Sequence, residues 1–136
     1  MSFHEAFQRL LQAFIAQCEQ IWRDRLVAVV LYGPYAHRLV HTQRDVDLLV
    51  VAEGLPASPW ERYDVVMDLM ERLEPALQDV YETVGFYLYV SPVLKTPSEL
   101  EGLDTPYIRL VRQGRVLYDR DDWFQRHFPP LPASEA

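Results

Sequence analysis

The sequence predicts an α/β (α+β) fold, a small mixed sheet flanked by helices. Three observations carry that expectation. Two apolar runs rich in β-branched residues lie at 26–32 and 46–52, and a helix-spaced apolar pattern precedes the first of them. The pairs Ser58-Pro59, Thr96-Pro97 and Thr105-Pro106 repeat the cap-then-proline grammar that opens helices. Read in order, the elements run α-β-α-β-α-β-α-α-β.

Residues 2–23 set Phe3, Phe7, Leu10, Leu11, Phe14, Ile15, Cys18 and Ile21 at the spacing of an amphipathic helix. The first strand, 26–32, closes on Gly33-Pro34. Proline suits the first turn of a helix, where its missing N–H is not needed, so a short helix is expected over 34–40. The second strand follows at 46–52, then a loop at 54–57. Ser58-Pro59-Trp60-Glu61 reads as a capping box opening a long helix, with Trp60, Tyr63, Val66 and Met67 on its core stripe. Pro75 should break or kink that helix after Leu73, leaving a second piece that ends before Gly85. The third strand is expected at 86–93, and the two Thr-Pro pairs start short helices. Gly114 is a good C′ residue for the second of these. A last strand at 115–119 and a helical turn at 122–127 complete one domain, 1–128. The Pro-rich tail, 129–136, is expected to be disordered or docked on a neighbour.

Composition narrows the function. The 136 residues are 49% hydrophobic, enough for one core. A net charge of −7 speaks against nucleic acid as a partner, since such surfaces carry a basic excess. No apolar run reaches the roughly 18 residues that a membrane span needs. The start shows no basic segment leading into an apolar one, so no secretory signal is expected. The only cysteine, Cys18, cannot form an internal disulfide, and the cytoplasm is the expected compartment. His4, His37, His41 and His127 share no metal-ligand spacing; His37 and His41 read as a surface pair.

Asp45-Val46-Asp47 stands out. Strand side chains alternate faces, so both carboxylates project from the same side at the head of the second strand. Two such groups repel unless a cation lies between them, and hard oxygen ligands beside phosphates suit Mg²⁺. Gly33 ends the preceding strand twelve residues earlier. A glycine turn leading into a helix lets backbone N–H groups approach an anion. Together these parts suit phosphoryl or nucleotidyl transfer.

The segment Gly33-Pro34-Tyr35-Ala36-His37-Arg38, then Arg44-Asp45-Val46-Asp47-Leu48, resembles the signature of the minimal nucleotidyltransferases of the polymerase-beta-like superfamily. That signature is Gly-Ser, ten residues, and Asp-X-Asp. The spacing agrees without a gap, and the third strand, two short helices and Arg112 to Tyr118 extend the likeness over most of the chain. The resemblance implies transfer of a nucleoside monophosphate from an NTP, usually ATP, to a hydroxyl. By the same resemblance Asp45 and Asp47 are the catalytic metal ligands for Mg²⁺, and Gly33, Arg38 and Arg44 face the phosphates. It also implies a HEPN-domain partner, silenced by adenylylation or by binding in a toxin–antitoxin pair. The amphipathic first helix suits either packing on the sheet or forming a homodimer, and its pattern does not decide between them.

Departures accompany the match. Pro34 replaces the signature serine, removing a hydroxyl and an N–H. His37-Arg38 replaces the usual Arg-Gly. The third strand reads Phe86-Tyr87-Leu88-Tyr89-Val90-Ser91, without the third carboxylate that serves active relatives as metal ligand and base, so a two-ion site is incomplete. Two readings follow: an active nucleotidyltransferase, or a degenerate one acting as an antitoxin-like binding subunit.

Overall fold

Seven consecutive apolar residues leave no polar face for water, so the first strand has to be covered on both sides. Strand β1 (Leu26–Tyr32) is buried at every position. The structure is a computed structural model that describes residues 1–40 and 42–131. Within it four strands form one sheet in the order β3-β2-β1-β4. Strand β2 (Asp45–Ala52) and strand β4 (Arg115–Asp119) flank β1 antiparallel, and β3 (Tyr89–Lys95) runs parallel to β2. The expected fold class, a mixed sheet with helices against it, is what the chain adopts.

Two cores follow from the alternation of side chains. On one face Leu26, Val29, Leu31, Val46, Leu48 and Val50 pack with helix α1 (Phe3–Trp22) and helix α2 (Pro59–Val84). Helix α1 is closed at its start by a Ser2–Glu5 capping box and buries Cys18 completely. Burial pushes the Cys18 thiol well above its ordinary value. On the other face Val27, Val30, Leu49 and Val51 receive α3 (Pro97–Leu100), α4 (Pro106–Arg112) and α5 (Trp123–His127) through Leu100, Ile108, Val111 and Phe124.

Several expectations are corrected. Helix α2 continues through Pro75. An interior proline costs about 3 kcal/mol. Leu69, Leu73, Leu77 and Val80 lie on both sides of it and are buried, and each such burial contributes about 1.5–3 kcal/mol, so packing wins. Those four residues also define the inward face, which puts Trp60 about 180° away from Leu69. Trp60, Tyr63 and Met67 are therefore exposed, at 81%, 59% and 44%, and do not form the core stripe. Ser58 makes no side-chain cap bond, whereas Thr96 and Glu99 form a full capping box.

Strand β3 starts at Tyr89, three residues later than expected. Phe86 instead meets Phe3 edge-on with centroids 5.7 Å apart, and Tyr87 stacks on Tyr81 at 4.6 Å. The Pro-rich tail begins docked on its own chain. Arg112 Nε and Nη2 donate to the Pro129 carbonyl at 3.0 and 2.6 Å, and residues 132–136 lie outside the described ones.

Gly114 joins the two layers. A Cβ there would fall 2.4 Å from the Leu31 carbonyl oxygen and 3.0 Å from that of Val111. Both obstacles are backbone, so neither can rotate away. Gly114→Ala is expected to lower stability by about 1–3 kcal/mol in urea denaturation, with the slope of the transition unchanged.

Candidate active site

The ladder register decides what meets at the end of the sheet. Tyr32 pairs with Asp47 across β1 and β2, Asp47 pairs with Ser91 across β2 and β3, and Leu31 pairs with Arg115 on β4. Val46 and Leu48 enter the core under α1 and α2. The alternation sends Asp45 and Asp47 to the opposite face, the one that carries Tyr32 and α4. Both carboxylates thus share a side, as expected, at the mouth of the sheet.

Gly33 is bound to this arrangement by contact. Its φ is +77°, and a Cβ built on it would lie 2.6 Å from Asp47 Oδ2. Only glycine lets the carboxylate lie against the backbone there. The following turn is short: Pro34–Ala36 form one 3₁₀ turn rather than a helix to residue 40. Tyr35 explains the difference. Its ring is buried and stacked on Phe7 at 5.0 Å, and its hydroxyl bonds the carbonyls of Val40, at 2.8 Å, and Gln43. The chain is drawn over Tyr35 and delivered to Asp45 instead of continuing as a helix. With one turn, the dipole expected at this point is slight.

Asp47 is half-buried and Asp45 exposed. Burial, and then the charge of Asp45, push the Asp47 carboxyl above its ordinary value. Beside it Tyr107 donates to the Tyr32 hydroxyl at 3.5 Å, with the rings edge to face at 5.5 Å. Burial raises both phenols, and the negative charge of Asp47 raises them further. The donor set is two carboxylates, one of them short of water, and it fits one hard divalent cation. Opposite Asp47 and Asp45 on β3 stand Ser91 and Tyr89. Among the described residues no group of three or more His, Cys, Asp or Glu could hold a metal.

The expected phosphate ligands separate. Arg44 lays its guanidinium over the Phe86 ring, 3.7 Å from the centroid. Arg38 is exposed and lines a cleft of about 200 Å³ with His4, His37 and Arg115. His41 lies outside the described residues. One neighbour of the aspartates had no sequence signal: Tyr107 reaches this end only through the packing of α4. Arg115, within the 112–118 segment of the resemblance, pairs with Leu31 and stands on the opposite face.

No family model matches the chain. It is 28% identical over 120 residues, 87% of its length and 76% of the relative's, to a Methanocaldococcus jannaschii protein described as "Putative protein adenylyltransferase". The resemblance to minimal nucleotidyltransferases drawn from the Gly33–Asp47 segment holds in this comparison. Among solved structures, the chain is similar to a mutant of the toxin–antitoxin complex MntA–HpeT, with TM-score 0.47, 16% identity, and 79% and 73% of the two chains covered. It is also similar to a complex of a tri-AMPylated Shewanella oneidensis HEPN toxin with an MNT antitoxin, with TM-score 0.42, 15% identity, and 85% and 82% covered.

The raised Asp47 carboxyl has a pH consequence. Folding disfavours its charged form, so the penalty is full above the folded-state pKa and is lost as pH falls from there to below the ordinary carboxyl value of the unfolded chain. Asp47→Asn is expected to raise Tm by a few degrees at neutral pH without divalent cations, and the gain should shrink on acidification. Thermal melts of both proteins from neutral to acid pH measure it; a gain that grows on acidification would contradict the argument.

Proposed function

We propose that this chain is a minimal nucleotidyltransferase that takes an NTP, ATP foremost, and transfers its nucleoside monophosphate to a hydroxyl of a partner protein or small acceptor. One observation carries the reading: the Asp45–Asp47 pair is held on one face of β2 with Asp47 pressed against the Gly33 backbone. The relative described as a protein adenylyltransferase supports it.

Asp45 and Asp47 would hold Mg²⁺, which when bound neutralises phosphate charge and aligns the triphosphate. Arg38, exposed just beyond the Gly33 turn, would neutralise phosphate charge. Gly33 leaves room for the Asp47 carboxylate to lie against the turn. The acceptor oxygen bonds to the α-phosphorus while the bond from that phosphorus to the bridging oxygen breaks. Pyrophosphate departs with the electron pair, and the hydroxyl proton passes to water.

A specific observation favours a second reading. Ser91 stands opposite Asp47, where an acid would complete the site and accept that proton. Slow or absent transfer follows, and the chain would then act by binding, as an antitoxin-like subunit for a HEPN-type partner in the cytoplasm.

Calorimetric titration with Mg·ATP tests the site. Binding is expected for the wild type and absent in Asp45→Asn and Asp47→Asn. No heat and no melting shift would sink the catalytic reading. Label transfer from α-phosphate-labelled ATP to the product of the neighbouring gene then separates the two. Partner inhibition that survives Asp45→Asn would make binding the function.

A further inference from the structure

Helix α2 carries an apolar surface that its own fold does not use. Trp60, Tyr63 and Met67 recur at i, i+3 and i+7, the spacing by which one helix seats another. They stand 81%, 59% and 44% exposed. Beside them an open groove of about 460 Å³ runs between α2 and β3, lined by Pro59, Tyr63, Val66, Pro92 and Leu94 among others. Large side chains exposed together in this way mark an interaction surface.

The charge around the stripe states what fits it. Helix α2 carries seven acids, Glu61, Asp64, Asp68, Glu71, Glu74, Asp79 and Glu82, which outnumber Arg62 and Arg72 on the helix and Lys95 lining the groove. Both arginines are committed: Arg62 pairs with Glu99 at 2.9 Å and Arg72 with Asp68 at 3.1 Å. A second copy of the chain would set acid against acid. Anionic lipid and nucleic acid are repelled for the same reason. A strand is refused as well, although β3 lies at the sheet edge. Pro92 offers no N–H, and Arg62 Nη1 already donates to the Leu94 carbonyl at 3.3 Å.

We propose that the α2 stripe and its groove dock a basic amphipathic helix of a partner protein. The partner's apolar residues enter between Trp60, Tyr63 and Met67, and its lysines or arginines meet Asp64 and Glu71. The proposal does not rest on nucleotide chemistry, because α2 covers the sheet face opposite the one that carries Asp45 and Asp47.

The test uses a synthetic Leu/Lys amphipathic helix of roughly 18 residues, and a Leu/Glu helix of the same pattern as control. Titration should show micromolar binding of the Lys peptide, a blue shift of tryptophan emission as Trp60 is covered, and no binding of the Glu peptide. The double variant Tyr63→Ser, Met67→Ser should melt like the wild type, since both positions are exposed, and lose about tenfold or more in affinity. Asp64→Lys with Glu71→Lys should lose as much. Asp47→Asn should bind the peptide unchanged, so a failure of the nucleotide site is distinguishable from a failure here. The proposal is overturned if the Tyr63/Met67 variant binds as tightly as the wild type, leaving charge attraction alone. Equal binding of the Glu peptide also overturns it, as does wild-type dimerisation in sedimentation velocity that the double variant abolishes.

Discussion

The whole architecture answers to one constraint, the complete burial of β1. A strand with no polar face needs cover above, below and along both edges, and each part of the chain supplies one of these. Helices α1 and α2 supply one layer. Helices α3 to α5 are too short to persist alone, because the first turn of a helix is costly to form. They hold because Ile108, Val111 and Phe124 find the apolar surface of Val27, Val30, Leu49 and Val51. Gly114 sets how closely that layer can approach.

The same constraint places the chemistry. Where β1 ends, its burial stops, and the first residues of β2 are the first able to carry charge. Asp47 stands at that boundary, near enough to the core to be short of water and to Gly33 to exclude any side chain there. Tyr32 and Tyr107 close the apolar side of it without offering a cation. Local consistency is given up here, as it commonly is where function resides.

Much of this was legible in the sequence, for identifiable reasons. Strands β1 and β4 occupy the residues expected, since continuous apolar runs between turn formers leave little choice. The shared face of Asp45 and Asp47 followed from the two-residue period. The turn after Gly33 did not follow, because Pro34 signals a helix start while the buried Tyr35 hydroxyl, bonded to loop carbonyls, ends it. The face of α2 was misread because it carries apolar residues on two flanks, and only the packing of Leu69, Leu73 and Leu77 shows which is inward. Tyr107 depends on contacts between distant segments, which no local pattern encodes. The absence of an acid on β3 was legible, and the register sets Ser91 opposite Asp47.

Cys18, enclosed in α1, gives the molecule a chemical clock. Its sulfur has no exposure, and burial holds its proton on, so the thiolate that alkylating reagents require is scarce while the fold stays closed. As the only thiol in the chain, it reacts at a rate set by how often the layer of α1 lifts from the sheet. A single modification event thus reports an opening of the core, with no label introduced.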